Sequence, residues 1–409
     1  MRHGPTLGHA GRGYDSGSSF EAGEEDALAV IRWIGFFVGL ILFLGTLSSL
    51  VRTLVVPRGL TSKLALLVNH LFTRHLFLWL ARRFEDYEAK DRVLAFAGPL
   101  SLLMLLSVWL FSFWMAFALM LWPLIPLGWF EALRESGSSM LTLGFASQPD
   151  WGPTAIMFVA ATTGLIVVAL QVAYLPTLYG AFNRRESLVT LLQSRAGAPA
   201  WGPELLIRHV VVGLIDNLGQ LYMDWEEWAA DVTESHTNYP VLVWFRSPHP
   251  LRSWVIALLA VLDSAAMYLA LSPSAAPTQA RLCLRMGFTA LRNIADVTGI
   301  PYDPDPLPTE DIELDYEDFI GGVHRLRDQG FPLERTAEEA WPDFKGWRIN
   351  YESICYALAD MTVAVPGPWS GTRTHLRDMT IVPERPANRR PEDPRIEEEP
   401  KATRFGWRV

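Results

Sequence analysis

Histidine, cysteine and acidic side chains are the groups of this 409-residue sequence that could hold a metal ion or catalyse a reaction. Cys283 and Cys355 form no C-x-x-C pair and have no histidine at metal-ligand spacing, so the sequence implies neither a zinc site nor a disulfide framework. We therefore predict no catalytic residue and no metal site. Four widely separated histidines are interpreted as surface or core residues rather than metal ligands: His209, His236, His249 and His324.

The sequence motifs of common enzymes and nucleotide-binding domains are also missing. There is no Walker A loop, no G-x-S-x-G, no H-E-x-x-H, and no G-x-G-x-x-G after a predicted strand. The acidic residues between positions 303 and 318 could attract divalent cations, but they lack EF-hand spacing and are interpreted as a solvated face. The net charge of −9 argues against a nucleic-acid partner. We predict a protein that is not an enzyme, needs no cofactor and binds no nucleic acid.

The remaining chemistry lies in the backbone of one short connection between two apolar stretches, residues 130–151. It is too short to be a domain and too uncharged to be merely a solvated loop. Good helix formers at 131–135 are followed by weaker helix formers at 136–139. Pro149 and Pro153 then indicate that the chain re-enters the membrane as a new helix. This pattern predicts a short helix that dips back into a membrane, followed by extended backbone returning outward. Such backbone is tolerated at membrane depth only where protein buries it or where it lines a watery cavity.

Part of this connection resembles the TVGYG filter loop of potassium-channel-like pore domains, the two-pore-type or ion-channel-2-like membrane proteins of bacteria. The resemblance covers about residues 93–185, and Ser139 stands where that family usually has a hydroxyl residue. It implies that backbone carbonyls and a threonine hydroxyl replace the hydration shell of a permeating cation. Because one loop per chain cannot close a ring of carbonyls, it also implies a homotetramer. The matching residues are Thr142, Leu143, Gly144, Phe145 and Ala146.

The tract departs from the family's loop at two positions. Ala146 replaces the second filter glycine, and a left-handed backbone there would cost alanine on the order of 1 kcal/mol. Ser147 stands where an acidic residue usually follows, and the nearest carboxylate is that of Asp150. The resemblance thus implies a monovalent-cation pore with potassium as one candidate ion. The alternative is a re-entrant or interfacial connection that conducts nothing.

The apolar stretch after the connection would form the inner helix of such a pore. Small residues occupy 160–164, Gln171 is the one strongly polar side chain, and a proline can bend the helix. Small residues also allow close packing between membrane helices, which is an equally ordinary reason for them. The predicted pore and gate residues of this helix are Thr163, Gly164, Gln171 and Pro176.

The composition and the apolar runs of the sequence predict the helices that would position the filter and gate residues. Half of the residues are hydrophobic and only 19% are charged, which is typical of a membrane protein. Three uncharged runs, 33–51, 93–130 and 151–183, are long enough to cross about 30 Å of hydrocarbon as helices. Pro123 and Pro126 indicate where the second run leaves the bilayer. We predict an all-α membrane protein with three transmembrane helices, a re-entrant pore loop before the last, and an α-helical cytoplasmic domain.

The distribution of Lys and Arg predicts the orientation of these helices. Eight basic residues lie between the first and second runs, whereas the next connection contains Arg134 alone. Arg184 and Arg185 follow the third run. Because basic residues favour the cytoplasmic side, we expect a multi-pass plasma-membrane protein with the N-terminal part outside and the C-terminal domain in the cytoplasm.

Two further apolar segments could change the number of spans. In residues 64–80, His70 and Arg74 fall on one helical stripe with the preceding Lys63, which favours a helix lying in the cytoplasmic interface. Residues 254–271 contain Asp263, and a crossing there would move the charged C-terminal part outside. A buried core helix is therefore the favoured interpretation of the second segment.

The helical domain shows apolar 3.6-residue patterns at 205–222, 254–271 and 282–297, separated by Pro- and Gly-containing breaks. The aromatic, proline-rich segment 234–250 could bind an anionic ligand or pack on a neighbouring subunit, or it could be a rigid linker. The predicted regions are a disordered acidic leader (1–26), the first transmembrane helix with the interfacial helix (27–92), a pore-like domain (93–185), the helical domain (186–382) and a disordered tail (383–409).

The leading hypothesis from the sequence is an ion-channel-like integral membrane protein that conducts monovalent cations through a tetrameric pore in the lipid bilayer. The alternative is a non-conducting membrane receptor or scaffold whose spans anchor the helical cytoplasmic domain. The sequence does not identify a ligand for that domain.

Overall fold

The computed structural model describes residues 18–56, 76–126, 128–146, 148–374, 376 and 379–384. Every regular element in this part of the chain is a helix, so the prediction of an all-α protein is confirmed. Most of the predicted interfacial helix at 64–80 lies outside the described residues, and its end forms a single turn, Leu78–Ala81. Residues 1–17 of the predicted leader and 385–409 of the predicted tail also lie outside them.

The helices are numbered in chain order, and the segments joining them include two 3₁₀ turns, Ile215–Asn217 and Pro240–Trp244. They are α1 (Ser18–Leu54), α2 (Tyr87–Leu94), α3 (Ala97–Leu121), α4 (Trp129–Met140), α5 (Trp151–Ala196), α6 (Gly202–Val211), α7 (Leu218–Asn238), α8 (Trp254–Leu271), α9 (Thr278–Thr298), α10 (Tyr316–Asp328), α11 (Ala337–Arg348) and α12 (Glu352–Met361).

Four helices of the described residues are long and apolar enough to cross a membrane by length and composition: α1, α2 with α3, α5 and α8. The first three contain the three predicted apolar runs, and α3 ends at Leu121, two residues before Pro123, which was predicted to mark the exit from the bilayer. The structure therefore has four such helices where the sequence predicted three spans. In addition, α1 begins at Ser18, inside the range predicted as a leader.

Helices α1 and α3 pack closely because small residues let their backbones approach. Gly35 and Gly39 are spaced as G-x-x-x-G, and a β-carbon on Gly39 would lie 2.6 Å from the carbonyl oxygen of Ala116. Farther along α1, Ser49 accepts a hydrogen bond of 3.1 Å from the indole nitrogen of Trp109. The outer face of α1 is exposed and apolar, as contact with lipid requires.

Helix α5 connects the membrane helices to the helical domain without a break. Its 46 residues span about 69 Å, roughly twice the thickness of the hydrocarbon core. The predicted domain boundary at 185/186 therefore lies inside a continuous helix. The charges of Arg184 and Arg185 do not interrupt helical hydrogen bonding, and α5 ends only at Gly197, whose φ is +86°.

Helix α8 lies at the centre of the helical domain, packed against α5, α6, α7, α9, α11 and α12. All of its residues from Trp254 to Leu271 are buried. The contrast with α1 is large: 11% of the most apolar stretch of α1 is buried within the protein, against 100% of that of α8. Neighbouring helices already cover α8 on every side, which agrees with the core-helix interpretation.

The pattern predicted as one helix over 205–222 forms two helices instead. Helix α6 ends at Val211, and Gly213 follows with a φ of +69°. Because glycine adopts this left-handed conformation without penalty, it terminates the helix despite the apolar periodicity on both sides. The Pro- and Gly-containing breaks of the sequence at 247–250, 272–273 and 300–308 lie between helices, whereas the break at 197–203 overlaps the first two residues of α6.

Candidate functional site

The filter-like tract, residues 142–146, follows directly on the end of α4. Helix α4 packs against α3 and α5, and the tract continues as non-helical backbone toward the start of α5 at Trp151. The indole nitrogen of Trp114 on α3 donates a hydrogen bond of 2.9 Å to the carbonyl oxygen of Leu133, which attaches α4 to α3. The tract is thus held at both ends by helices.

All five backbone amides of the tract donate hydrogen bonds to residues in the last turn of α4. The amides of Leu143 and Gly144 donate to the carbonyl oxygen of Ser138 at 2.8 and 3.3 Å. Those of Phe145 and Ala146 donate to the hydroxyl oxygen of the same serine, both at 3.1 Å. The fifth, that of Thr142, donates to the carbonyl of Ser139 at 3.0 Å. The side chain that organises the tract is therefore Ser138, whereas the sequence comparison pointed to Ser139.

The carbonyl oxygens of the tract, unlike its amides, are not hydrogen-bonded to α4. Among the described residues, no hydrogen bond goes to a carbonyl oxygen of residues 142–146. The tract is also accessible, with Leu143 and Phe145 60% and 57% exposed within the single chain. A run of backbone whose amides face the protein while its carbonyls are uncommitted can offer oxygen ligands to a cation.

The backbone of the tract is left-handed at two positions. Thr142 has a φ of +55° and Gly144 a φ of +70°. A β-branched residue is strained in this region, whereas glycine is not. Ala146 has no positive φ, so the alanine that replaces the family's second glycine carries no such penalty here.

A second layer of polar side chains supports the return from the tract to α5. Gln148 donates a hydrogen bond of 2.9 Å to Glu135, a residue of α4 that is only 2% exposed. The guanidinium of Arg134 lies 5.5 Å from the ring centroid of Phe145. No motif in the sequence indicated these contacts.

The predicted inner-helix residues do not lie on a free face of α5. Thr163, Gly164 and Gln171 belong to a buried stripe that repeats every three or four residues along the helix. The Thr163 hydroxyl donates to the carbonyl of Val159 in its own helix at 2.7 Å. Pro176 lies outside the stripe and is exposed. Within one chain, the stripe therefore packs against the chain's own helices, and α5 continues through Pro176.

Arg185, on the same stripe of α5, lies in a buried cluster at the junction with the helical domain. It is fully buried and donates to the carbonyl oxygens of Leu242 and Phe245 at 2.8 and 2.6 Å. It also donates to the Glu186 carboxylate at 2.9 Å and lies 3.0 Å from the Nε2 atom of His236. The sequence showed Arg185 only as a flanking charge, because burial of a basic residue leaves no sequence signal.

Segment 234–250, singled out by its aromatic residues and prolines, places the side chains of His236 and Arg246 in the protein interior. Arg246 donates to Asp91 of α2 at 2.5 Å, to the Tyr87 hydroxyl at 2.9 Å and to the carbonyl of Val363 at 3.0 Å. Burial first, and the neighbouring Arg185 second, hold the pKa of His236 well below its usual value. The segment joins α2, α5 and α12, which agrees with the rigid-linker interpretation.

Among the described residues, no group of three or more His, Cys, Asp or Glu side chains is arranged to hold a metal ion. Cys283 and Cys355 are free thiols and buried, and burial raises the pKa of both. A thiol with a raised pKa is a poor nucleophile, so neither cysteine has the character of a catalytic group.

Comparison with known proteins identifies a membrane protein but no family. No protein family matches the chain, and no solved structure matches it significantly. Over 224 residues the chain is 28% identical to the uncharacterized membrane protein YdjJ of Bacillus subtilis (strain 168). The match covers 47% of this chain and 59% of the Bacillus protein, so the chain spans less than two thirds of that relative's length. With the apolar helices, this similarity indicates an integral membrane protein in contact with lipid.

Proposed function

We propose that this chain is one subunit of a tetrameric pore for monovalent cations, with residues 142–146 as the selectivity filter. The observation that supports the proposal is the arrangement of the tract's backbone. Its amides donate to Ser138 and Ser139, and its carbonyl oxygens accept no hydrogen bond from the residues that the structure describes. Carbonyl rings of this kind replace the hydration shell of a cation. One tract per chain requires several chains to form a ring, and the resemblance to potassium-channel-like pore domains favours four.

The proposed topology places three helices across the plasma membrane. In it, α1, α3 and α5 cross the bilayer, α4 with the tract forms the re-entrant loop, and α8 is the core of the cytoplasmic domain. The Lys and Arg residues between α1 and α3 favour the cytoplasmic side for that connection. On this topology the protein transports ions, catalyses no reaction and needs no cofactor.

The experiment that tests the proposal is a cation-flux assay on purified protein in liposomes. Gly144→Val introduces a β-branched residue at a φ of +70° and should abolish flux without changing the oligomeric state. Gly45→Val is the matched control, because a β-carbon on Gly45 meets nothing within 4 Å. Ala146→Gly should retain flux, since the backbone there has no positive φ.

Three outcomes decide the assay. Flux through the wild type and Gly45→Val, with none through Gly144→Val, supports a pore with this filter. Equal flux through all of them excludes the tract as the filter. Absence of flux from the wild type, or a stable monomer in several mild detergents, contradicts the pore itself.

A non-conducting receptor or scaffold is the second candidate function, and one observation favours it. The buried stripe of α5, which includes Thr163, Gly164 and Gln171, packs within its own chain rather than on an accessible surface. A scaffold predicts no flux through any variant and no difference between potassium and sodium in the stability of the protein.

A further inference from the structure

One basic side chain of the apolar helices has no protein partner. Arg32 on α1 is partly buried, and its Nε atom is buried without a hydrogen-bond acceptor among the described residues. No carboxylate of the described residues forms an ion pair with it either. Because a charge next to hydrocarbon is costly unless it is paired, Arg32 lacks the anionic partner that its position requires.

The sequence around Arg32 places this side chain at one edge of the hydrocarbon core. Arg32 immediately precedes the uncharged run 33–51, and Arg52 immediately follows it. The 20-residue separation of the two arginines corresponds to a rise of about 30 Å in a helix, which is the thickness of the hydrocarbon. Arg32 therefore lies at a boundary between hydrocarbon and headgroups, where its long side chain can reach lipid phosphates.

Tryptophans of neighbouring elements provide an independent measure of this depth. A β-carbon on Gly35, one turn after Arg32, would lie 3.1 Å from the ring of Trp122, directly after the end of α3. The ring centroids of Trp122 and Trp129, the first residue of α4, are 5.5 Å apart. Trp33 on α1 is 48% exposed. Because tryptophan is concentrated where hydrocarbon meets headgroups, these side chains place Arg32 at the same interface.

Two carboxylates at this end of the helices are not partners of Arg32. Glu131 of α4 pairs with Arg134 at 3.5 Å. Asp26 precedes Arg32 by six residues on α1, a spacing that does not bring two side chains to the same face of a helix. The partner of Arg32 must therefore come from outside the described residues.

The surface of α1 beside Arg32 suits the acyl chains of a lipid. Ile31, Ile34 and Phe37 are all exposed, and they form part of the apolar outer face of the helix. A guanidinium presents two parallel N–H donors that match the oxygens of a phosphate. A phospholipid combines the two chemistries that this place on the protein lacks, namely an anion and an apolar cover.

From the unpaired guanidinium, its depth and the apolar surface beside it, we propose that Arg32 binds the phosphate of a phospholipid. The phosphate oxygens accept hydrogen bonds from the guanidinium and neutralise its charge, and the acyl chains lie along α1. This inference rests on α1 crossing the bilayer, as in the proposed topology, and is independent of ion conduction.

The test is thermal unfolding of the full chain, purified in a nonionic detergent and depleted of lipid. Dioleoylphosphatidylglycerol should raise the unfolding temperature of the wild type by about 2 °C or more, as a bound ligand does. Dioleoylglycerol, which has the same acyl chains but no phosphate, should raise it by less than half as much. Glycerol 3-phosphate, which has the phosphate but no acyl chains, should leave it unchanged.

Three variants assign the effect to the guanidinium. Arg32→Gln should abolish the difference between the two lipids. Without lipid it should unfold at or above the temperature of the wild type, because an unpaired charge has been removed. Arg32→Lys keeps the charge without the two parallel donors and should retain part of the difference. Arg327→Gln is the matched control, since it removes an exposed arginine of the helical domain and should respond to both lipids like the wild type.

Four outcomes overturn the proposal: equal stabilisation of the wild type by the two lipids, a wild-type difference in Arg32→Gln, a lower unfolding temperature of lipid-free Arg32→Gln, or equal stabilisation by glycerol 3-phosphate. The third would reveal a partner within the protein, and the fourth would assign the site to a soluble phosphate. None of these measurements involves flux, so this inference and the proposed pore fail separately.

Discussion

A β-carbon added to Gly164 would lie 2.0 Å from the carbonyl oxygen of Met140. Met140 is the last residue of α4, and the filter-like tract begins two residues later. The backbone of α5 therefore touches the end of α4 directly, with no side chain between them. This contact sets the position of the tract relative to α5 and accounts for a glycine in the middle of a long apolar helix.

Gly164→Ala is expected to separate α5 from the end of α4, because the added methyl group cannot share space with the Met140 carbonyl. Overpacking of this kind typically costs about 1–3 kcal/mol. Thermal unfolding in detergent should detect the loss, and on the proposed function liposome flux should fall with it. Gly180→Ala is the control on the same helix, since its new β-carbon would meet only Arg184, at 3.9 Å. Identical behaviour of the two variants would mean that the contact is unimportant.

Ser138→Ala is expected to disturb the filter tract specifically. It removes the hydroxyl that accepts the amides of Phe145 and Ala146, at about 1 kcal/mol for each bond. If the tract is a filter, discrimination between potassium and sodium should fall while the oligomer remains intact, and Ser138→Thr should restore it. Ser139→Ala keeps the backbone carbonyl that binds Thr142 and should discriminate like the wild type. Equal selectivity of both alanine variants would refute this role of Ser138.

Apolar runs and helix breakers in the sequence predicted most of the helices and the helix–tract connection after α3. They did so because membrane helices and turns depend on composition and on proline and glycine placement over short distances. The end of α6 was missed because Gly213 lies inside an otherwise regular apolar pattern. The Ser138 hydroxyl, rather than the Ser139 hydroxyl, accepts amides of the tract because of the rotation of the last turn of α4, which the local sequence does not determine.

Burial of charge was the other feature that the sequence could not predict. Arg185 and Arg246 have the same local signature as solvated basic residues. Yet Arg185 is fully buried, the Arg246 side chain is only 9% exposed, and both donate to backbone carbonyls. The carbonyl groups to which they donate are 57 to 117 residues away in the chain. Contacts at such separations are set by the packing of whole helices, so only the structure places these residues at the junction.

Gly39→Val is expected to weaken the packing of α1 on α3. Its β-carbon would lie 2.6 Å from the Ala116 carbonyl oxygen and 2.9 Å from Leu119. Gly45→Val adds the same side chain on the same helix at a position with nothing within 4 Å. Thermal unfolding in detergent should show a loss of about 1–3 kcal/mol for the first variant and little change for the second. A similar change in both variants would indicate that α1 does not depend on this glycine.

The stability of the junction should depend on pH through His236. Arg185 donates to the Nε2 atom of this histidine, so Nδ1 carries the hydrogen and donates to the carbonyl of Val232 at 3.0 Å. Burial and Arg185 both disfavour the protonated ring, and the pKa in the folded protein lies well below 6.5. The unfolded chain therefore takes up a proton below pH 6.5 that the folded protein does not bind.

The contribution of His236 to stability is consequently expected to fall as the pH drops below 6.5, by up to about 1.4 kcal/mol per pH unit for this one proton. Thermal unfolding of the purified protein between pH 8 and pH 5.5 measures the slope. His236→Gln keeps an oxygen that can accept from Arg185 but cannot titrate, so its slope should be shallower than that of the wild type. His324→Gln replaces an exposed histidine and should leave the slope unchanged. If the slopes of wild type and His236→Gln coincide, the acid sensitivity of the junction arises from other groups.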